Sequence, residues 1–249
     1  MSQRSLDELL SVVHDVEGWL STDQAARLYA AAAATGPGDQ IVEIGSFRGR
    51  STIVLAGAAP DDVSIIAIDP HAGNDRGPNE IRGFESHAAV DHDAFNANLA
   101  AAGVADRVQH IREFSGLAHE AVTGTIAVLY IDGAHRYAPA RADIHRWGSR
   151  VESGGTMLIH DSFSSVGVTL AISRELMLGG RFRYIGRTRS LTEYRADLDD
   201  TAWRRAVNTF RQIAQLPWFV KNLFVKVVLT VRLGWLVTRL TGRMPEWPY

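Results

Sequence analysis

Three aspartates each stand where an apolar segment of the sequence ends. Asp69 follows VSIIAI, Asp132 follows IAVLYI and Asp161 closes TMLIHD. The carboxyl ends of parallel strands meet at one edge of a sheet, so we expect these carboxylates to converge on one crevice. His135 and His160 stand beside two of the same strand ends. Converging carboxylates with imidazoles beside them suit metal-assisted chemistry that uses a general base.

A glycine turn precedes the first of these aspartates. Residues 41–51, IVEIGSFRGRS, predict a strand, a tight turn at Gly45 and a helix that begins near Gly49. The glycines stand four apart, so this is not the G-x-G-x-x-G dinucleotide fingerprint. Asp69 lies 24 residues after Gly45, where an acid binds the ribose hydroxyls of a nucleotide-like ligand. The alternative is a simple turn aspartate before Pro70, and we favour the ligand role.

The elements around these residues predict an α/β fold. Apolar strands end at Asp69, at residue 111, at Asp132 and at Asp161, and helices alternate with them. The segments 181–186 and 190–196 alternate in polarity as an antiparallel pair does. We therefore expect a doubly wound, Rossmann-like and mostly parallel sheet with an antiparallel hairpin at its edge.

Three regions are expected along the chain: N-terminal helices in 1–38, a core in 39–197 and a helical appendage in 198–249. The first region should contain a helix over 5–17 and a second from Ser21, with Gln24 in the capping-box position. These helices form either a lid over the ligand pocket or a cover for one face of the sheet.

Two further segments are assigned to the ligand-binding edge. Residues 70–93 are rich in glycine, proline and charge, contain His71, His87 and His92, and predict a long loop that forms part of an acceptor site. A helix is predicted over 94–102. Ser115, just beyond the third strand, is placed to border an adenine ring.

Composition excludes several classes of protein. The 249-residue chain has a formal net charge of −2, whereas dedicated nucleic-acid binders are usually strongly basic. It has no cysteine, which removes disulfides, thiolate catalysis and cysteine-ligated zinc. Acids interrupt the apolar residues near Met1, unlike in a secretory signal. A cytoplasmic location is expected.

The segment 216–241 is strongly apolar but carries Lys221, Lys226, Arg232 and Arg239. Its charge-free runs are shorter than the roughly 20 residues of a membrane span. At about 100° per residue, the basic residues other than Lys226 fall close to one line. This pattern suits a helix in a membrane interface, at the inner face of the membrane. A helix that docks on its own domain or forms a homodimer is the equal alternative.

IVEIGSFRGRS, IDGAHRY and HDS together resemble the motifs of class I S-adenosylmethionine-dependent methyltransferases. Within that class they are similar to metal-dependent O-methyltransferases, both the catechol type and the sugar (macrolide-glycoside) type, over roughly residues 36–165. The resemblance implies a catalytic base at His135, where catechol enzymes have lysine and sugar enzymes histidine. It also implies a cofactor site formed by Glu43, Gly45, Ser46, Gly49, Ser51, Asp69, Ser115 and Asp132.

The implied metal is Mg²⁺, held by Asp132, Asp161 and Ser162. The family usually has Asn or Asp at the last of these positions, so either the Ser162 hydroxyl or a water completes the site. The resemblance to sugar enzymes favours methylation of a hydroxyl on a glycoside: a polysaccharide precursor, a glycolipid or a glycosylated natural product. A small phenolic acceptor, or a non-catalytic membrane-associated protein with this fold, is the alternative.

Overall fold

The computed structural model describes residues 3–73, 85–197 and 201–232, with Trp235, Thr238, Arg239, Gly242 and Arg243. The chain begins with α1 (Leu6–Val12) and α2 (Thr22–Ala33). Each helix starts with a capping box, in which a serine and the third helical residue satisfy each other's backbone N–H groups. The box predicted for Ser21 and Gln24 is one of the two.

A seven-stranded sheet forms the centre of the molecule, in the order β3-β2-β1-β4-β5-β7-β6. Strands β1 to β5 are parallel, and β7 lies antiparallel between β5 and β6. This confirms the predicted doubly wound sheet with an antiparallel edge hairpin. The strands are β1 (Gln40–Ile44), β2 (Ser64–Ile68), β3 (Val108–Ile111), β4 (Ile126–Ile131), β5 (Val151–Ile159), β6 (Arg183–Thr188) and β7 (Leu191–Arg195).

Helices cover both faces of the sheet, which explains why β1, β2 and β4 are almost continuously apolar. One core lies under α1, α2, α3 (Arg50–Ala58) and α4 (Glu85–Ala101). The other lies under α5 (Ser115–Ala118), α6 (Tyr137–Gly148) and α7 (Val166–Ile172), which continues as a π-helical turn, Ser173–Met177. The chain continues into α8 (Ala202–Ile213) and α9 (Leu216–Thr230).

Two predicted boundaries were wrong. Residues 85–93, assigned to the acceptor loop, form the first half of α4, and the helix does not begin at residue 94. Its polar residues hid the helix, because Asp91 is buried against Arg48 while its neighbours are mostly exposed. The rest of that loop, residues 74–84, lies outside the described residues. Strand β5 ends at Ile159, so His160 and Asp161 follow the strand and are not its last members.

Candidate active site

Asp132, His135 and Asp161 meet at the carboxyl edge of the sheet. One ligand atom from each lies within 4.8 Å of those of the others, and each side chain is partly accessible. Nε2 of His135 is 2.7 Å from Oδ2 of Asp161. Among the described residues, this is the group of histidines and acids that could hold a metal ion.

The backbone after β5 orients this cluster. Asp161 adopts a left-handed conformation, with φ of 54°, which is costly for a residue with a Cβ and is often found at functional sites. Its carbonyl accepts a hydrogen bond from the backbone N–H of Ser165, and the Ser165 hydroxyl donates to the carbonyl of His135. At Gly167 a Cβ would lie 2.2 Å from that same carbonyl oxygen. The start of α7 therefore packs directly on the backbone that carries His135.

His160 lies behind the cluster and is only 3% exposed. Its Nδ1 is 3.1 Å from Oδ1 of Asp132 and 3.7 Å from Oδ2 of Asp161. On the far side of the ring, Nε2 is 3.3 Å from the amide nitrogen of Gln24 in α2. The imidazole thus joins both acids and connects them to the N-terminal helices.

Charges within the cluster balance one another. Burial lowers the pKa of His135, but the hydrogen bond and charge of Asp161 outweigh burial, and the pKa is raised. Burial likewise opposes a charged His160, but Asp132 and Asp161 raise its pKa well above the usual value. For Asp161, burial raises the pKa and the two histidines outweigh it, so the pKa falls well below its usual value. The carboxylate of Asp161 is therefore held ionised at neutral pH.

The donor set of the cluster fits Mg²⁺. One or two carboxylates, with water in the remaining positions, are the ligands that Mg²⁺ usually has in proteins. The hydroxyl of Tyr130 donates to Oδ2 of Asp132, at 2.8 Å, which orients that carboxylate.

The structure does not bring Ser162 to the cluster. Its side chain is fully buried, and its hydroxyl donates to the carbonyl of Ile159, at 2.8 Å, and lies 2.6 Å from the Thr192 hydroxyl. The third residue of the cluster is His135, and Ser162 is not part of it. A hydroxyl bound between two strands is not available to a metal in the crevice.

Asp69 holds the glycine turn. Its Oδ2 accepts hydrogen bonds from the backbone N–H groups of Ser46 and Phe47, at 2.9 and 2.8 Å, and its Oδ1 accepts one from His71 N–H, at 2.8 Å. Its side chain remains 16% exposed. The carboxylate thus ties the end of β2 to the turn after β1, and unused lone pairs remain for a ligand hydroxyl.

The glycine turn fits a ligand such as S-adenosylmethionine. Gly45 has φ of 85°, and a Cβ there would lie 2.4 Å from the carbonyl oxygen of Asp132. Only glycine therefore lets the loops after β1 and β4 approach each other. The hydroxyl of Ser46 is buried beside them with no hydrogen-bond partner among the described residues. A polar ligand in the turn would satisfy that hydroxyl.

Glu43 and Ser51 bind each other beneath the turn. The hydroxyls of Ser51 and Thr52, in the first turn of α3, both donate to the Glu43 carboxyl group. Glu43 is fully buried, and burial raises its pKa to about 8. Gly49, with φ of 86°, caps the same helix. Glu43 therefore anchors the turn from inside, and its carboxyl group does not face solvent.

Ser115 lies beside a residue that the sequence did not single out. Its hydroxyl is 2.5 Å from Oδ1 of Asp143 in α6, next to Gly133 at the end of β4. Burial raises the pKa of Asp143 to about 6, and the Ser115 hydroxyl opposes this rise. Asp143 precedes the buried Ile144, but a single acid beside an apolar position is a weak signal in a sequence.

Three histidines pack behind Asp69. The rings of His71, His92 and His110 lie with centroids 5.0 to 5.3 Å apart. Burial, followed by the neighbouring His71, lowers the pKa of His110 to about 4. His71 and His92 were predicted to belong to the acceptor loop. In the structure their rings pack with His110 behind Asp69.

Comparison with known proteins agrees with this architecture. Residues 42–162 match the family model described as a methyltransferase domain. Over these residues the fold and the glycine turn are similar to those of a methyltransferase domain. This confirms the resemblance to S-adenosylmethionine-dependent methyltransferases that the motifs indicated.

Solved structures share the fold. The O-methyltransferase NovP is 18% identical over 71% of this chain and 81% of its own, with a TM-score of 0.59. TomG from Streptomyces achromogenes, an O-methyltransferase of tomaymycin synthesis solved with SAM, is 17% identical over 79% and 92%, with a TM-score of 0.54. The O-methyltransferase from Bacillus cereus, solved with SAH, is 16% identical over 76% and 87%, with a TM-score of 0.51.

Proposed function

We propose that the protein is a Mg²⁺-dependent O-methyltransferase that transfers the methyl group of S-adenosylmethionine to a hydroxyl of a glycoside. The observation that carries this proposal is the cluster of Asp132, His135 and Asp161 at the sheet edge, on the same side as the glycine turn. A methyltransferase that needed only to bind its cofactor would use Asp69 but would not require Asp132 and Asp161 at the same edge.

The core, residues 39–197, would hold the cofactor. The Gly45–Gly49 turn and the Ser46 hydroxyl would receive its methionine end, and Asp69 would accept hydrogen bonds from the ribose hydroxyls. Ser115, steadied by Asp143, would border the adenine. The bound cofactor supplies a methyl group attached to a positively charged sulfur. When the methyl group is transferred, the sulfur becomes a neutral thioether.

Asp132 and Asp161 would hold Mg²⁺, with Tyr130 and His160 orienting the carboxylates. Bound there, the ion would lower the pKa of an acceptor hydroxyl and fix its position. The helices in 1–38 contribute to this site through Gln24, which lies against His160.

His135 would act as the general base. The raised pKa of His135 reflects the acids alone, and the positive charges of Mg²⁺ and the cofactor's sulfur would oppose the charged ring. In the neutral ring, Nε2–H would donate to Asp161, which leaves Nδ1 to accept the proton of the acceptor hydroxyl. The acceptor oxygen then forms its bond to the methyl carbon as the carbon–sulfur bond breaks. The side chain of His135 is 31% exposed and can reach a ligand, whereas that of His160 is 2% exposed and cannot.

Two features support the proposed class of acceptor. The sugar enzymes that the sequence resembles also have a histidine at the position of His135. The two acids suit a substrate with neighbouring hydroxyls. The proposed acceptor is a glycoside or the sugar unit of a larger molecule, methylated in the cytoplasm.

The test is a transfer assay with a radiolabelled methyl donor and two matched panels of acceptors, glycosides with neighbouring free hydroxyls and catechols. We expect label on a glycoside, none after chelation and recovery with Mg²⁺. Label on catechols and on no glycoside would show that the acceptor is phenolic and not a sugar. Transfer that persists in excess chelator would remove the metal from the mechanism.

A further inference from the structure

The two C-terminal helices expose many apolar side chains and bury polar ones, although Val228 is buried and Leu216, Trp218 and Phe219 pack against the domain. Three polar side chains face the domain and are almost fully buried: Asn208 at 4%, Gln212 at 0% and Asn222 at 3% exposed. Large apolar side chains face outward, namely Trp203, Phe210, Val220 and Phe224, which are 77%, 70%, 62% and 63% exposed. A contiguous apolar surface rimmed by polar groups marks a binding face.

Polar contacts hold α8 against the domain. Asn208 donates to the carbonyl of Phe182 and accepts from the backbone N–H of Tyr184, at 3.0 and 2.7 Å. The amide of Gln212 donates to the carbonyl of Leu176, at 3.4 Å. These bonds satisfy backbone groups at the start of β6 and the end of the π-helical turn, so the apolar side of α8 is left outward.

Polar contacts also hold α9, and they reach the active site. Asn222 donates to the carbonyl of Phe163, at 3.1 Å, and Lys226 donates to the carbonyl of Ser164, at 2.9 Å. Both carbonyls belong to the segment that follows Asp161. The outward face of α9 therefore lies on a helix that is bound to the edge of the catalytic crevice.

Sequence spacing confirms that each helix has two opposite faces. In α8 the exposed large apolar residues recur at positions 203, 207, 210 and 213, and in α9 at 220, 223, 224 and 227. At about 100° per residue these spacings keep to one side, and the buried polar residues two positions away lie on the other. Arg211 and Lys221, both exposed, flank the apolar faces.

The charge of this region is opposite to that of the rest of the chain. Residues 201–243 contain eight Lys and Arg residues and no acid, whereas residues 1–200 contain 27 acids and 18 Arg or Lys. A second copy docked face to face would bring two such basic segments together. A surface that is apolar inside and negatively charged outside is the complementary partner.

A groove on α8 adds a polar feature to the apolar face. It has a volume of about 480 Å³ and is lined by Trp203, Arg204, Val207, Asn208 and Arg211. The ion pair of Arg183 and Asp197 also lines it, so the charge of that acid is already balanced. Guanidinium groups beside an exposed tryptophan suit an anionic headgroup at the boundary between water and acyl chains.

The helices are better suited to lie on a bilayer than to cross it. The stretch Ala202–Thr230 is long and apolar enough to span a membrane by length and composition. To span, it would have to break the bonds of Asn208, Gln212 and Asn222 with the domain and place these amides in hydrocarbon. A helix that stays bound on its polar side can immerse its apolar side only in the interface.

We propose that α8 and α9 form a docking surface for an anionic membrane, with the apolar face at the level of the acyl chains and the arginine groove at the headgroups. This goes beyond the proposed methyl transfer and does not depend on it. The bonds from α9 to the segment after Asp161 place the crevice beside the bilayer, where an acceptor carried on a lipid would be presented.

The test is flotation of the full-length protein with vesicles of phosphatidylcholine, with and without phosphatidylglycerol. We expect binding to the anionic vesicles that weakens as salt is raised, and at least about tenfold weaker binding for the double variant Phe210→Ser, Phe224→Ser. Lys221→Glu should weaken binding to vesicles that contain phosphatidylglycerol and leave binding to pure phosphatidylcholine vesicles unchanged. Val90→Ser, which changes a residue that is 57% exposed on α4, is the matched control and should bind normally.

Size-exclusion chromatography with light scattering and calorimetric titration of S-adenosylhomocysteine accompany each variant. Unchanged cofactor affinity shows that the variants are folded. A full-length protein that binds neither type of vesicle overturns the proposal. So does a stable dimer that the Phe210→Ser, Phe224→Ser variant converts to a monomer, since a second copy then covers the face. Failure of methyl transfer alone leaves vesicle binding, and this proposal, in place.

Discussion

Nε2 of His135 lies 2.7 Å from Oδ2 of Asp161, although the two residues are 26 positions apart in the chain. The contact joins the residue proposed as base to a residue proposed as metal ligand. A carboxylate in this position fixes the ring and stabilises the imidazolium that forms when the base takes a proton. Proton removal and metal binding are therefore expected to depend on one shared carboxylate.

Loss of that carboxylate should affect both functions. Asp161→Asn keeps the size of the side chain but removes its charge, so we expect kcat to fall by about two orders of magnitude or more. Mg²⁺ affinity, measured by calorimetric titration, should fall as well. Asp197→Asn, which changes an exposed acid far from the crevice, is the control. Normal Mg²⁺ binding by the Asp161→Asn protein would remove this residue from the metal site.

The two histidines of the cluster should differ in their effect on the rate. His135→Ala should lower kcat by about two orders of magnitude, with little change in cofactor affinity, because it removes the accessible imidazole. His160→Ala should cost less, since His160 only holds the acids in place. Steady-state kinetics of both variants across pH 5 to 9 distinguish these roles. An inactive His160→Ala protein beside an active His135→Ala protein would reverse the assignment.

Asp69 should act on both cofactor binding and stability. Asp69→Ala leaves three backbone N–H groups without their acceptor, so we expect a loss of about 2 kcal/mol in the free energy of unfolding. Affinity for S-adenosylhomocysteine should fall by about tenfold or more because a charge-assisted contact to the ribose is lost. Urea denaturation and calorimetry measure the two effects. The control is Asp106→Asn, at an exposed site, which should change neither stability nor cofactor affinity. If Asp69→Ala binds S-adenosylhomocysteine normally, the ribose does not bind at Asp69.

Glu43 should make stability depend on pH. Burial raises its pKa to about 8 in the folded protein, from a usual value of 4.5. Between these values the folded state binds more protons than the unfolded state, so the free energy of unfolding falls as pH rises. The slope from this one group is at most about 1.4 kcal/mol per pH unit.

The comparison is with Glu43→Gln, which imitates the protonated acid and can still bond to Ser51 and Thr52. Urea denaturation from pH 5 to pH 8 should show a flatter dependence for Glu43→Gln than for the unmodified protein. Glu120→Gln, on the surface, should keep the original slope. Identical slopes for Glu43→Gln and the unmodified protein would mean that Glu43 is already ionised in the fold.

Much of the architecture could be predicted from the sequence, because parallel strands buried on both faces leave a strong signal. The apolar runs of β2 and β4, each closed by an aspartate, predicted the strands, and the alternation with helices predicted the doubly wound sheet. The edge where Asp69, Asp132 and Asp161 stand followed from that topology alone. The N-terminal capping box at Ser21 is a local pattern and was equally readable.

Which atoms face the crevice depends on the folded backbone and could not be read from the sequence. The left-handed backbone at Asp161 interrupts the alternation expected after a strand, so His160 joins both acids while Ser162 turns into the sheet. Contacts of Gln24 with His160 and of Ser115 with Asp143 join distant parts of the chain. The outward apolar face of α8 and α9 depends on the backbone groups that bind their amides. Periodicity shows that a helix has two faces, but only packing determines which face is buried.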